Sequence, residues 1–336
     1  MTGYFDGTVD FGGGPLASTG FADVFVAKLD SSGNHVWSRR FGNASKSQYG
    51  DAIAADGSGN VLVTGHFWGT VDFGGGPLTS AGELDTFVAK LDSSGGHLWS
   101  KRFGDATYQY GGAVAADGSG NALVTGNFSG TVDFGGGPLT SDDVTTDIFV
   151  AKLDSSGGHI WSKSFGDVNS QAAVAIATDA WGNALVTGTF NGTVDFGGGP
   201  LTCAWGGLDV FVAKLDSSGG HIWSKHFGDV SDQYGVDVAT DGSGNALVLG
   251  EFRGTVDFGG EPLTSAGDFD IFLAKLDSSG GHIWSKRFGT GSAERAWGIA
   301  ADTSGNAFVM GSLWGGAVDF GGGPLQGHMF LAKFAP

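Results

Sequence analysis

The strongest constraint on the fold is an internal repeat of about 62 residues. The octapeptide VDFGGGPL, written VDFGGEPL in one copy, recurs at steps of 62, 61, 62, 62 and 62 residues, beginning at Val9, Val71, Val132, Val194, Val256 and Val318. Self-similarity at a fixed period is typical of repeat architectures, in which each unit buries its apolar surface against its neighbours. The chain is therefore interpreted as successive copies of one structural unit.

Each repeat contains four short apolar segments separated by Gly, Ser, Asp and Asn. The segments alternate with a period of two, and the gaps D-x-x-G-N and D-S-S-G-G are typical of hairpin turns. In the third full repeat this pattern predicts strand a at 174–178, strand b at 184–190, strand c at 148–153 and strand d at 160–165. The glycine-rich FGGGP segment is predicted to be a turn.

Four antiparallel strands in a unit of this length predict a blade of a β-propeller, because solenoid repeats usually span ~20–47 residues. The Ala-rich strand a suits a crowded inner edge, and the Trp and Phe of strand d suit a wider rim. The strand segments run as one b, five rounds of c-d-a-b and a final c. We therefore expect a single all-β propeller domain over 1–336, with five full repeats plus partial repeats at both ends. Six blades with one incomplete are favoured, and five blades are the alternative.

The repeat also resembles a known family. The motif D-x-F-V-A-K-L-D-x-S-G-x-x-x-W, followed by A-D-x-x-G-N-x-L-V-T-G, is similar to the bacterial SBBP or "seven-bladed β-propeller" repeat and recurs over essentially the whole chain. A weaker similarity to NHL-type blades lies at 53–65. The SBBP resemblance implies a propeller in secreted or surface proteins of bacteria, and it brings no catalytic residues with it.

Composition limits the partners. With 17 Lys and Arg against 35 Asp and Glu, the formal charge of -18 opposes binding to nucleic acid. No apolar run reaches the ~20 residues of a membrane helix, so membrane insertion is not expected, and the N-terminal MTGYFDG does not resemble a signal peptide. An extracellular or cell-surface location is expected from the resemblance alone. The single Cys203 is interpreted as an incidental residue.

Sequence variation collects in two kinds of loop. The turns between strands a and b and between c and d hardly change, whereas the d–a and b–c connections differ between repeats and should lie at one end of the blades. Relaxed constraint is the plain explanation, and a ligand site at this end is the functional one. The candidate binding residues are Gln48, Tyr49, Gln109, Tyr110, Gln171, Gln233, Tyr234, Glu294, His66, Trp68, Arg253 and Trp314. For the recurring Gln we prefer a structural role, tying the loop to the next blade.

Catalytic and metal chemistry are not supported by the pattern. The repeated His of H-x-W-S occurs once per unit, and no pair of His or Cys has the spacing of a zinc site. The Asp-containing turns resemble parts of calcium loops but lack the closing bidentate Glu, so Asx-type turns are the preferred interpretation. Calcium binding is the less favoured alternative, and no other cofactor is expected. The Asp before each FGGGP is interpreted as stabilising the turn, since acid and base pairs must lie close together.

Three functions from different classes follow. The first is a non-catalytic binding or structural scaffold, with a protein or carbohydrate partner. The alternative is a lectin-like propeller with one weak site per blade, which gains strength through multivalency. A hydrolase or lyase is the third and least favoured. Incomplete terminal blades also suggest a homo-oligomer formed by strand exchange.

Overall fold

The computed structural model is all-β and describes residues 1–141, 145–203 and 206–336. It is a six-blade β-propeller of small antiparallel sheets with a repeat of about 62 residues, as the sequence predicts. The chain divides into two compact units, Met1–Ser164 and Phe165–Pro336, which are described separately. The prediction of one domain over 1–336 stays a prediction.

The first unit holds blades 1 to 3. Its strands are β1 (Thr2–Phe5), β2 (Thr8–Asp10), β3 (Pro15–Ala17), β4 (Asp23–Leu29), β5 (His35–Phe41), β6 (Gln48–Ala55), β7 (Val61–Phe67), β8 (Thr70–Asp72), β9 (Pro77–Thr79), β10 (Asp85–Leu91), β11 (His97–Phe103), β12 (Gln109–Ala116), β13 (Ala122–Phe128), β14 (Thr131–Asp133), β15 (Pro138–Thr140), β16 (Asp147–Leu153) and β17 (His159–Phe165), whose last residue falls at the unit boundary.

The second unit holds blades 4 to 6. Its strands are β18 (Gln171–Thr178), β19 (Ala184–Phe190), β20 (Thr193–Val194), β21 (Leu201–Thr202), β22 (Asp209–Leu215), β23 (His221–Phe227), β24 (Gln233–Thr240), β25 (Ala246–Phe252), β26 (Thr255–Val256), β27 (Leu263–Thr264), β28 (Asp270–Leu276), β29 (His282–Phe288), β30 (Glu294–Ala301), β31 (Ala307–Leu313), β32 (Val318–Asp319), β33 (Pro324–Leu325) and β34 (Met329–Phe334).

Blades 2 to 5 each have four strands in the order a-b-c-d, as in β6-β7-β10-β11. Blade 1 has strands b, c and d (β1-β4-β5), and blade 6 has strands a, b and c (β30-β31-β34). The two missing strands are thus divided between two sheets rather than leaving one blade incomplete. The reason is that every strand b pairs with the strand c that follows it along the chain.

Two details differ from the sequence prediction. The VDFGGGPL segment forms a separate two-stranded ribbon in each repeat, such as β8 with β9, instead of a simple turn. Strand a begins three residues before the predicted start, at Gln171 in β18, and a bulge between Ala173 and Ala175 interrupts its alternation. The bulge therefore breaks the period of two that the sequence predicts for this strand.

Neighbouring blades within a unit pack through a repeated apolar interface. We call the side of a blade that meets the next blade along the chain its following face, and the opposite side its preceding face. Between blades 1 and 2, Val24 and Val26 of the following face pack with Phe67 and Phe87 of the preceding face. These side chains are almost fully buried, so this interface forms most of the core.

Candidate binding surface at the variable loops

The recurring Gln begins strand a in blades 2 to 5 and is completely buried. The Gln48 side-chain amide donates to the carbonyls of Lys46 (2.8 Å) and Trp68 (3.2 Å), and its oxygen accepts the Asn43 N–H at 3.1 Å. The equivalent bonds to the residue after strand b join Gln109 to Ser129, Gln171 to Asn191 and Gln233 to Arg253. In blade 6 the Glu294 carboxylate accepts the Thr290 N–H and hydroxyl instead.

These five side chains are therefore not placed to touch a ligand. The structural role preferred from the sequence fits their positions, with one correction. The four Gln side chains bind the d–a loop to the end of strand b of their own blade, because Gln and that strand end are cross-strand partners within one sheet, as Gln48 and Phe67 are.

A second set of polar contacts, between strands c and d, was not predicted from the sequence. In blades 1, 2 and 5 the buried Asp that begins strand c is paired with an Arg on strand d, as Asp23 is with Arg40 (2.6 Å). In blade 4 the equivalent Asp209 lies 2.9 Å from Nδ1 of His226. Asp85 pairs with Arg102 in the same way, and burial nevertheless raises the pKa of this carboxyl. The signal in the sequence is the Asp of D-x-F-V-A-K, two residues before the Phe.

The first unit contains a set of rings that we call the Tyr–His cluster, formed by Tyr4, Tyr49, His66, Tyr108 and Tyr110. The Tyr49 ring stacks on His66 with centroids 4.8 Å apart, and Tyr4 meets Tyr49 edge-on at the same distance. His66 also meets Tyr110 edge-on at 5.2 Å, and Tyr110 lies parallel to Tyr108 at 6.2 Å. Tyr4 and Tyr108 are exposed, whereas the other three rings are half-buried.

Strand register explains the cluster. Tyr49 and His66 are cross-strand partners on β6 and β7, and such pairs bring side chains of one face into contact. A bulge between Gly50 and Ala52 turns Asp51 toward His66, whose Nδ1 lies 2.7 Å from a carboxylate oxygen of Asp51. Burial raises the pKa of Asp51, and the contact with His66 opposes that rise.

The sequence predicted Tyr49, His66 and Tyr110 as binding candidates, and the structure brings them together. Asp51 and Tyr108 were not predicted. Asp51 could have been found, because the other repeats place Gly112, Val174, Val236 and Trp297 at the same position of strand a.

Trp68 lies beside this cluster, at the end of strand b of blade 2. Its side chain is 40% exposed, and the Lys46 ammonium lies 3.3 Å from the ring centroid. A cation over an indole face orients the ring while leaving its other face open. Trp68 is thus a candidate anchor next to the Tyr–His cluster.

The second unit has a different arrangement at the corresponding positions. The buried Phe269 ring is contacted by Tyr234 at 5.5 Å, by the Arg253 guanidinium at 4.3 Å and by the Arg295 guanidinium at 5.1 Å.

Both guanidinium groups are already paired with carboxylates. Arg253 is bonded to Asp268, and Arg295 lies 2.5 Å from an oxygen of the buried Glu251. The positive charge of the predicted candidate Arg253 is therefore already paired with a carboxylate at the protein surface. Trp314 is 64% exposed and lines an open cavity of about 630 Å³ with Gln326 and His328.

The repeated polar residues outside this surface serve local structure. His97 Nε2 lies 3.0 Å from the Ser100 hydroxyl, and its ring packs under Gly75 of the ribbon. Turn carboxylates accept backbone N–H groups two and four residues ahead, as Asp92 does from Ser94 and Gly96. These are the Asx-type bonds expected from the sequence. Within the described parts of the chain, no group of three or more His, Cys, Asp or Glu is placed to hold a metal ion.

Cys203 occupies a position at which four other repeats have serine. Its sulfur accepts the Gly192 N–H at 3.0 Å, as the Ser80 hydroxyl accepts the Gly69 N–H at 3.0 Å. Burial raises the pKa of the Cys203 thiol. A buried, protonated thiol in this role substitutes for a hydroxyl acceptor and is a poor nucleophile.

Part of this region matches the model of a known protein family. Residues 36–70, which span strand d of blade 1 and strands a and b of blade 2, match the family model SBBP, described as a beta-propeller repeat. The chain carries an SBBP β-propeller repeat. Because the other repeats have the same motifs at the same period, the SBBP unit accounts for the six similar sheets.

Two curated proteins are similar to parts of this SBBP-repeat chain. An uncharacterized WD repeat-containing protein, L264 of Acanthamoeba polyphaga mimivirus, is 24% identical over 201 residues, which are 50% of this chain and 14% of that protein. The regulatory protein FlaEY of Caulobacter vibrioides is 27% identical over 220 residues, which are 63% of this chain and 23% of that protein. The chain thus spans less than a quarter of the length of either relative. Over the described residues, the structure contains no helix long and apolar enough to cross a membrane.

Proposed function

We propose that this chain is a non-catalytic binding scaffold that holds a protein segment against the Tyr–His cluster and Trp68. The observation that carries the proposal is the cluster itself. It is a connected set of aromatic rings at the end of the blades where sequence varies, and the equivalent positions of the second unit carry paired charges instead.

The chemistry of the cluster suits a protein partner. Tyr and Trp are enriched among residues that dominate binding energy, because they offer large apolar area with few rotatable bonds. Tyr4, Trp68 and Tyr108 are exposed enough to be contacted, and the rings behind them are held by Asp51 and by stacking. Such a preorganised surface loses little side-chain freedom on binding.

The relatives agree with this class of function. One is named as a WD repeat-containing protein and the other as a regulatory protein, and both names belong to those proteins alone. Repeat propellers place ligands at loop-bearing ends of the blades. An extracellular or surface location, expected from the resemblance, is retained as part of the proposal.

Carbohydrate is the second candidate, because exposed Tyr rings also stack on the apolar face of a sugar. The geometry favours one such site in the first unit over one weak site per blade. The Gln side chains that would repeat such a site are buried, and the Tyr beside them is replaced by Ala172 in blade 4 and Arg295 in blade 6.

The test is selection of binders from a displayed random peptide library, run beside a glycan array. Peptides selected on the wild-type protein should lose at least about ten-fold in affinity for Trp68→Ala and for Tyr49→Ala, in keeping with anchor residues. The matched control is Trp181→Ala, which removes a 63% exposed Trp from an a–b turn, at the opposite end of the blades from the d–a and b–c loops.

Peptides that bind all variants equally, or that fail only with Trp181→Ala, would refute the proposed surface. Glycan binding that depends on Tyr49 while no peptide is selected would instead support the carbohydrate candidate.

A further inference from the structure

The interface between blades 5 and 6, inside the second unit, has an acidic residue at a buried position of the repeat. Glu294 begins strand a of blade 6, where blades 2 to 5 have Gln, and it is 0% exposed. Its backbone N–H donates to the Phe269 carbonyl of blade 5 at 2.8 Å, so the residue lies at the contact between the two blades. The position that carries a neutral amide in blades 2 to 5 is therefore acidic at this interface.

A second buried carboxylate, that of Asp270 in blade 5, lies beside Glu294. A Cβ built on Gly289 would contact both Asp270 Oδ1 and Glu294 Oε2, so the two oxygens border the same small space. Asp270 is 0% exposed, and its Oδ1 has no hydrogen-bond partner among the described residues. A buried acceptor without a partner is costly, and a proton held between the two carboxyls would supply one.

The groups around this pair do not balance two negative charges. Arg287 on strand d bonds the other oxygen of Asp270, and Thr290 donates its N–H and its hydroxyl to the Glu294 carboxylate. Burial and the Asp270 charge raise the pKa of Glu294 above its ordinary value of 4.5, although the bonds from Thr290 and the Arg287 charge oppose the rise.

Blades 2 and 3 meet through the same arrangement with one charge fewer. There Asp85 pairs with Arg102, and the side chain that borders Asp85 Oδ1 is the neutral Gln109. The site between blades 5 and 6 thus has one excess buried negative charge when both of its carboxyls are ionised. Two like charges at one buried site are costly to ionise together, so such a pair retains a proton.

The same interface has another carboxyl that other blades lack. Asp237 of blade 5 accepts the Ile299 N–H of blade 6 at 2.8 Å, and burial raises its pKa to about 6. The residues that it meets on β25 and β30, Leu249 and Ile299, are uncharged. The equivalents of Asp237 in blades 2 to 4 are Ala52, Ala113 and Ala175.

We propose that Glu294 and Asp270 share one proton, and that blade 6 is held more weakly on blade 5 once this proton is lost. As pH rises above 4.5, the closed interface keeps its proton while an opened interface releases it, so the interface loses stability with rising pH. Asp237 adds to this loss between about pH 4 and about pH 6. The Arg295 guanidinium of blade 6 lies on Phe269 of blade 5, so this surface contact is loosened as well.

The experiment is hydrogen–deuterium exchange of the full chain at about pH 5 and about pH 8, with amide rates corrected for the intrinsic effect of pH. In wild type, the protection factors of β30 should fall at least about ten-fold from the lower to the higher pH, the change that corresponds to one pKa unit. Glu294→Gln should remove most of this fall, and adding Asp237→Asn should remove the remainder. Infrared difference spectra of wild type against Glu294→Gln should show a protonated carboxyl at pH values well above 4.5.

The matched control is Glu261→Gln, which removes the same charge from an exposed position of the second unit and should leave the exchange profile unchanged. Circular dichroism and a cooperative thermal transition check that each variant folds. Asp270→Asn is the second variant, because removing either carboxylate should flatten the profile.

Equal pH dependence in wild type and Glu294→Gln overturns the proposal, as does a change in Glu261→Gln as large as that in Glu294→Gln. Protection regained at about pH 8 when calcium is added to wild type but not to Glu294→Gln would show a bound cation in place of the proton, and it also overturns the proposal. The inference does not depend on the Tyr–His cluster, and loss of peptide binding there would leave all these results unchanged.

Discussion

The indole nitrogen of Trp37 donates a hydrogen bond of 2.9 Å to the carbonyl of Ser93, which lies in the c–d turn of the next blade. Trp99 makes the same bond to Ser155, and Trp223 makes it to Ser278. The glycine at the tip of the accepting turn packs on the indole face, as Gly95 does on Trp37. The repeated Trp therefore joins neighbouring blades through one specific bond and one ring face.

Trp99→Phe should destabilise the protein by about 1 kcal/mol. The substitution keeps an aromatic ring but removes the donor, which leaves the Ser155 carbonyl without the indole bond. Urea denaturation followed by circular dichroism measures the change. Trp284→Phe is the matched control, because blade 6 has no c–d turn beyond Trp284, and a cost equal to that of Trp99→Phe would contradict the role of the bond.

Gly75→Ala should cost about 1–3 kcal/mol of stability. A Cβ built on Gly75 would lie 2.1 Å from the His97 ring, so the ribbon or the ring must move. Gly322→Ala changes the same motif position in blade 6, where strand d and its His are missing and nothing lies within 4 Å. That variant should be close to neutral, and equal melting temperatures for the two variants would argue against the packing role of His97.

Asp237→Asn should change how stability depends on pH. Burial raises the pKa of Asp237 to about 6, although its carboxylate accepts the N–H groups of Ile299 and Val238. Because the folded-state pKa lies above the ordinary value of 3.8, the folded state binds the proton more tightly, and stability falls as pH rises from about 4 to about 6. The penalty reaches about 2–3 kcal/mol above that window.

Urea denaturation of wild type and Asp237→Asn on both sides of this window checks the prediction. The variant should gain stability relative to wild type as pH rises through the window. Parallel pH profiles for the two proteins would show that Asp237 does not titrate there.

Lys90→Met should cost about 3 kcal/mol, because it leaves the buried Asp56 carboxylate without its cationic partner at 2.9 Å. Burial raises the Asp56 pKa, but bonds from Asn60, Lys90 and backbone N–H groups outweigh it and lower the pKa to about 2. The stability from this carboxylate is thus present above pH 4 and is lost as pH falls toward 2.

Chemical denaturation near neutral pH measures the cost, and Asp56→Asn added to Lys90→Met should recover part of it. Lys28→Met is the control, because Lys28 of blade 1 bonds the Ser93 carbonyl of blade 2 and forms no ion pair among the described residues, so its loss should cost less than about 1 kcal/mol. Equal costs at the two positions would contradict a contribution from the ion pair.

The strands were predictable because their signals are local. Strand b of the fourth blade runs from Ala184 to Phe190, as the alternation of apolar residues predicts. Strands c and d of the third blade begin one residue before their predicted starts. Strand a begins at Gln171, three residues earlier than predicted, because a buried polar residue does not register in an apolar pattern. The ribbon was missed because two or three residues flanking glycines carry too little pattern.

The site was predictable only in part. Tyr49, His66 and Tyr110 were identified as variable polar or aromatic positions, but their contacts join different strands and blades. The burial of Gln109 and the pairing of Asp85 with Arg102 also depend on packing between distant segments. Periodicity identifies which residues differ between repeats, and it contains no information about which of them meet.

The cross-strand pair of Tyr49 with His66 has counterparts of different chemistry, namely Tyr110 with Asn127, Ala172 with Thr189, Tyr234 with Glu251 and Arg295 with Ser312. None of these pairs supplies the buried Gln, Asp and Lys bonds or the indole bonds that the blades share. The same blade fold therefore accepts aromatic, amide, small or charged pairs at this one cross-strand position. Substitutions there can change what a single blade recognises without disturbing the bonds that hold the blades together.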